Sequence, residues 1–104
     1  MDLSYILNAL GEERDRYFNA VAPPIIQTSN FAYQSVDEMR RAFDSEFDAY
    51  LYSRGMNPTV DILRKKLAAL EGSEDCLVFN SGVAAIFAAV MSVVQSGDHI
   101  VCVD

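Results

Sequence analysis

Apolar side chains in the first ten residues fall at Leu3, Ile6, Leu7 and Leu10. That is the i, i+3, i+4, i+7 spacing of one helical face, and Gly11 is placed to end the helix. Residues 12–20 are charged and irregular, and belong on the surface or against a partner. Pro23-Pro24 then excludes regular helix, and Ile25-Ile26-Gln27-Thr28-Ser29-Asn30-Phe31 favours an extended path. Ser35-Val36-Asp37-Glu38 reads as a capping box opening a short helix that carries Met39, Ala42 and Phe43. Tyr50-Leu51-Tyr52-Ser53-Arg54-Gly55 is aromatic and ends in a turn.

From residue 57 the pattern sharpens. Asn57 can cap and Pro58 suits the first helical position, which predicts a helix from Pro58 to Glu71 ending at Gly72. Cys76-Leu77-Val78-Phe79 reads as a short buried strand. Ser81-Gly82 leads into a helix over Val83–Val94 that is apolar nearly all round and therefore expected to be buried. Ser96-Gly97-Asp98 turns the chain, and His99–Val103 reads as a second strand. Strand, buried helix and strand make a β-α-β unit of a mostly parallel sheet, so the expected class is α/β. The division that follows is an N-terminal arm over residues 1–56 and the start of an α/β domain over residues 57–104.

Composition narrows the function. Among 104 residues, 51% are hydrophobic, enough for a core, and 15 acidic against 8 basic side chains give a net charge of −7. An acidic surface repels phosphate backbones, and the largest basic cluster is only Arg64-Lys65-Lys66, so a nucleic-acid partner is not expected. The longest apolar run, Gly82–Met91, is shorter than the ~20 residues of a membrane span. No targeting segment opens the chain, and Cys76 and Cys102 read as reduced, buried thiols, so a cytoplasmic location is expected. His99 lacks the partners for a triad or a zinc site, and no metal site is expected. Lys65 and Lys66 read as solvated residues on the polar side of an amphipathic helix.

Two stretches can carry chemistry. Phe79-Asn80-Ser81-Gly82-Val83 joins strand to helix, where glycine lets a ligand approach the backbone and first-turn N–H groups point outward toward an anion such as phosphate. The plain alternative is ordinary turn chemistry, and neither GxxxxGK[ST] nor GxGxxG is present. Tyr52-Ser53-Arg54 offers a planar guanidinium and a phenol, both able to hold phosphate. Its plain alternative is an arginine paired with one of the acids between Asp44 and Asp48.

The strings taken in order carry more than each alone. Pro23-Pro24-Ile25 with Thr28-Ser29 and Phe31, Tyr50-Leu51-Tyr52-Ser53-Arg54 with Asn57-Pro58-Thr59, Leu70-Glu71-Gly72, Ser81-Gly82-Val83-Ala84-Ala85-Ile86 and Gly97-Asp98-His99-Ile100-Val101 follow one another in fixed sequence. Over about residues 21–104 the chain closely resembles the N-terminal part of the Cys/Met-metabolism family of pyridoxal-phosphate enzymes. That family includes cystathionine γ-synthase, cystathionine γ- and β-lyases, methionine γ-lyase and O-acetylhomoserine sulfhydrylase.

The resemblance implies the opening of a fold-type-I enzyme with pyridoxal 5′-phosphate as cofactor. It implies backbone contacts from Gly82 and Val83, with Ser81 beside them, to the cofactor phosphate. Val83 departs from the family's usual Met, which a backbone contact survives. Tyr52 and Arg54 match residues that reach the phosphate of the neighbouring subunit, implying a homodimer that shares its sites and assembles into a tetramer. The implied substrate is a sulfur amino acid or an activated homoserine. The implied reaction is γ-replacement or γ-elimination, as in cystathionine γ-synthase or γ-lyase, with β-lyase or O-acetylhomoserine sulfhydrylase chemistry as alternatives. The family's ring-stacking aromatic, its pyridine-pairing Asp and its cofactor-bonding Lys match nothing here. No residue is therefore assigned a catalytic role, and the 104 residues alone are expected to be inactive. The sequence stops at Asp104 directly after Val103, as expected of an N-terminal portion. A non-catalytic binding or oligomerisation module of the same fold is the rival from another class.

Overall fold

A computed structural model describes residues 1–104. It contains four α-helices: α1 (Leu3–Asn8), α2 (Val36–Asp44), α3 (Pro58–Glu71) and α4 (Gly82–Met91). Short 3₁₀ turns occupy Arg14–Tyr17 and Glu46–Asp48. Each α-helix begins where a side chain supplies the acceptor that the first turn lacks. The Asp2 carboxylate accepts from the Tyr5 N–H, Ser35 Oγ from Glu38, Asn57 Oδ1 from Thr59 and Ser81 Oγ from Ala84. The box at α2 differs from the expected reciprocal form, because the Glu38 carboxylate reaches back to the Gln34 N–H at 2.8 Å. Gly72 ends α3 in the left-handed region at φ 65°. The Gly72 N–H donates to Ala69 O, and the Ser73 N–H to Ala68 O.

The helices of the expected pattern form, and the strands do not. Residues 76–79 and 99–103 run without strand pairing, and the one β-bridge in the chain is antiparallel, between Asn30 and Tyr52. The expected α/β class is thus realised only in its helical and extended path, and the β-α-β unit lacks its sheet. A helix satisfies its hydrogen bonds internally, whereas a strand needs a lateral neighbour, and a parallel sheet needs cover on both faces. Neither is supplied here. The α4 helix packs on none of the other helices. Against the expectation of burial, Ile86 is 66% and Phe87 64% exposed. Cys102 is exposed and Cys76 half-buried, so neither thiol is the buried group expected. The α4 helix also stops at Met91 rather than Val94.

What is packed centres on α3. The α1 helix crosses it, with Ile6 and Ala68 buried. Burying Ile6 contributes about 1.5–3 kcal/mol to holding α1 in place. Gly11, at φ 77°, lets the chain after α1 run close over α3, since a Cβ there would meet Lys65 Cδ at 3.2 Å and Ile62 Cα at 3.5 Å. Glu12, buried despite its charge, forms the clip between the two elements. Its carboxylate takes Lys66 Nζ at 2.6 Å on one oxygen and Arg14 Nη2 at 2.7 Å on the other. Lys66 also donates to Leu7 O at 2.8 Å, and Arg14 to Asn8 O at 2.6 Å, so two orphan carbonyls at the end of α1 are satisfied. Lys66 is therefore a packed ion-pair partner and not the solvated residue expected. Only six of 104 residues are buried, and the radius of gyration is 17.3 Å, against ~13 Å for a compact chain of this length. Most of the apolar surface stays open.

Candidate phosphate site and its relatives

Extended residues 26–33 and the segment 50–59 are sewn together, and this seam sets the position of Tyr52 and Arg54. The Ser53 N–H donates to Ser29 O at 2.9 Å, and the Ser53 hydroxyl donates to Thr28 O. The Ile26 N–H donates to Thr59 Oγ1 at 2.9 Å, and Asn57 Nδ2 donates to Ile26 O at 3.0 Å. Tyr33 OH donates to Tyr50 O at 2.6 Å, with Phe31 tilted against the Tyr50 ring at a centroid distance of 5.5 Å. Tyr50 OH in turn donates to Asp61 Oδ2 at 3.1 Å. Burial, followed by the negative charge of Asp61, pushes the Tyr50 phenol up to about 12, so it stays a neutral donor throughout the physiological range. The buried Asp61 carboxylate is balanced by Lys65 at 2.8 Å and Arg64 at 3.6 Å.

Within this frame Arg54 is unpaired. It forms no ion pair with the acids between Asp44 and Asp48 or with any other carboxylate. Its guanidinium lies over the Tyr52 ring, 4.7 Å from the centroid, as a cation–π pair. The two side chains share a cavity of about 170 Å³ with Glu46, Phe47, Leu51 and Met56. The basic cluster Arg64-Lys65-Lys66, by contrast, is fully engaged. Arg64 holds Asp75 and donates to Cys76 O at 2.9 Å, and the other two pair with Asp61 and Glu12. The Cys76 N–H, then Arg64, hold the Asp75 carboxyl below its usual range.

The second stretch lies at the start of α4. Ser81 is the N-cap, its hydroxyl accepting from the Ala84 N–H at 3.1 Å, and the Gly82 and Val83 N–H groups have no partner in the chain. Such donors, at the positive end of a helix, can receive a phosphate oxygen. A Cβ built on Gly82 meets nothing within 4 Å, and Gly82 is not left-handed. Neither packing nor backbone angle in the chain demands glycine there, which leaves room for an outside group against the main chain. Val83 is 79% exposed. No hydrogen bond or ion pair joins Ser81–Val83 to Tyr52 or Arg54, and the cavity that Tyr52 and Arg54 line includes none of Ser81–Val83.

No group of three or more His, Cys, Asp or Glu side chains is placed to hold a metal ion, and no helix is long and apolar enough to cross a membrane. Asn57 is the residue that sequence reasoning assigns too little. The cap is legible from Asn57-Pro58, but its two other bonds involve Ile26 and Ser53, and only the fold brings the first of these near.

A profile of the Cys/Met metabolism PLP-dependent enzymes matches residues 6–104. L-methionine gamma-lyase of Treponema denticola is 42% identical over 91 residues, covering 88% of this chain and 22% of that protein. O-acetyl-L-homoserine sulfhydrylase 1 of Thermus thermophilus is 44% identical over 78 residues, or 75% of this chain and 18% of that protein. Among solved structures, cystathionine gamma synthase from Xanthomonas oryzae pv. oryzae, in complex with aminoacrylate and cysteine, superposes with a TM-score of 0.75 at 33% identity. That match covers 94% of this chain and 23% of the other. The chain thus spans about a fifth of the length of the curated relatives it matches. Over nearly all of its residues, it belongs to the Cys/Met metabolism family of PLP-dependent enzymes.

Proposed function

We propose that these residues form the N-terminal arm and the opening of the cofactor domain of a PLP-dependent enzyme of sulfur amino acid metabolism. The substrate is a sulfur amino acid or an activated homoserine, and the reaction is replacement or elimination at the γ carbon. The relatives support this range: their names include a methionine gamma-lyase, an O-acetyl-L-homoserine sulfhydrylase and a cystathionine gamma synthase. When bound, pyridoxal phosphate supplies the electron-withdrawing ring that stabilises charge on the substrate carbon. The task of this chain is to hold the cofactor's phosphate. Gly82 and Val83 offer backbone N–H donors, Ser81 fixes the helix start behind them, and Tyr52 and Arg54 reach the phosphate of the neighbouring subunit.

The observation that carries this reading is Arg54. In a chain of net charge −7, its guanidinium rests on Tyr52 without a carboxylate partner, beside a cavity. A fork-shaped cation left unpaired among 15 acids is suited to a doubly charged anion from outside its own chain. That Arg54 and the α4 start share neither a bond nor a cavity also fits a site shared between subunits. Arg54→Ala is expected to weaken cofactor affinity of the complete enzyme by roughly ten- to a hundredfold, the equivalent of 1.5–3 kcal/mol for a charge-assisted bond. Arg54→Lys should recover only part of this, since the bidentate fork is lost. Fluorescence titration of the apoenzyme with pyridoxal phosphate reads both, and unchanged affinity in Arg54→Ala would remove the reading.

A further inference from the structure

We infer that Asn57 is a positioning residue for Arg54: its amide closes the loop Ser53–Asn57 and thereby fixes where the guanidinium is presented. The inference rests on the proposed contact between Arg54 and the cofactor phosphate, and it assigns Asn57 a second task beyond capping α3.

The loop is closed twice. In the backbone, Tyr52 O accepts from the Gly55 N–H at 2.9 Å and the Met56 N–H at 3.2 Å. In the side chains, Asn57 Nδ2 donates to Ser53 Oγ at 2.8 Å, and Arg54 lies between the two anchors. Asn57 is 8% exposed, and three of its amide bonds are made: Oδ1 to the Thr59 N–H at 2.9 Å, and Nδ2 to Ser53 Oγ and Ile26 O. Ser53 completes the chain of donors by giving its proton to Thr28 O. Every partner fixes the orientation of the amide, because Ile26 O can only accept and the Thr59 N–H can only donate. The loop that carries Arg54 is thus tied to the extended residues 26–29 and to the first turn of α3 through one buried side chain. A free arginine side chain has many rotamers, and holding its Cα and the Tyr52 ring in fixed relation reduces the freedom lost when it grips an anion.

The cap and the clamp separate chemically. Asp caps helices as well as Asn does, so Asn57→Asp keeps the acceptor for the Thr59 N–H. It replaces the Nδ2 donors with an oxygen facing the Ile26 carbonyl, which breaks the clamp. Ser53→Ala removes the Ser53–Asn57 bond with the loss of one hydroxyl and serves as the milder variant. In the holoenzyme, both are expected to weaken pyridoxal-phosphate affinity, Asn57→Asp by roughly tenfold and Ser53→Ala by less. In an Arg54→Ala background, neither should weaken it further, because the effect passes through Arg54. A purely structural role would instead lower the apoenzyme melting temperature and add to Arg54→Ala. Unchanged affinity in both variants, or full additivity with Arg54→Ala, overturns the inference while the phosphate contact of Arg54 stands. If Arg54→Ala itself leaves affinity unchanged, the proposed contact falls and the inference falls with it.

Discussion

At Gly82 a Cβ would have open space and the backbone no left-handed turn to make, so the reason for glycine lies outside the chain's own packing. A ligand pressed against the first turn of α4 supplies one. Gly82→Val in the complete enzyme is therefore expected to weaken cofactor binding while the apoenzyme melts within a few degrees of the original. Cofactor titration beside a thermal melt separates the two, and normal affinity with a large loss of apo stability would make Gly82 a folding residue only. Arg54 shows the same logic with opposite chemistry. Its charge is left without a carboxylate, whereas the cations of α3, Arg64, Lys65 and Lys66, are all matched, so what it meets is expected to be an anion.

Among the elements, the Glu12 clip between α1 and α3 has a definite pH signature. Hydrogen bonding from Lys66, opposed by burial and reinforced by Arg14, holds the Glu12 carboxyl below its usual value of 4.5. A group whose folded value is depressed stabilises the fold above its unfolded value, and that contribution is lost as pH falls through the folded one. Amide protection, corrected for the intrinsic exchange rate at each pH, should thus stay high in α1 at neutral pH and fall as pH drops below about 4.5, ahead of protection in the middle of α3. Glu12→Ala, which leaves Lys66 without its counter-ion, should cost about 1–3 kcal/mol at neutral pH and abolish that acid step. An α1 whose corrected protection does not change with pH in the original protein would contradict the assignment.

The four helices were legible because their signals are local. The spacing Leu3, Ile6, Leu7, Leu10 announces α1, the Ser35 box α2, Asn57-Pro58 the start of α3 with Gly72 ending it where predicted, and Ser81-Gly82 before an apolar run α4. The strands over 76–79 and 99–103 were not realised, because their bonds depend on neighbours that these residues do not supply. The Glu12–Lys66 pair and the Asn57–Ile26 bond were invisible for a related reason: each joins residues far apart in sequence, and charge or polarity alone does not announce its partner. The candidate site falls between these cases. Tyr52, Arg54, Ser81, Gly82 and Val83 stand out by local motif, while no bond within the chain relates the first two to the last three.

For the whole molecule, the open architecture is the main physical fact. With six buried residues and apolar groups such as Phe18, Val101 and Val103 almost wholly exposed, these 104 residues leave most of their apolar surface to be covered by other structure. An arm that carries an unpaired arginine and a helix start that carries free N–H groups, with no bond between them, make sense as two halves of sites built across a symmetric pair. In the function proposed above, Arg54 serves the cofactor of the neighbouring subunit. The most direct test of that role mixes two variants of the complete enzyme at a pyridoxal-phosphate concentration too low to load Arg54→Ala: Arg54→Ala itself and one lacking the lysine that bonds the cofactor. If Arg54 acts across the interface, each mixed dimer holds one intact site, and random 1:1 pairing should restore about a quarter of the original activity. If mixed dimers are present by native mass spectrometry and no activity returns, Arg54 acts within its own subunit and the shared-site account is wrong.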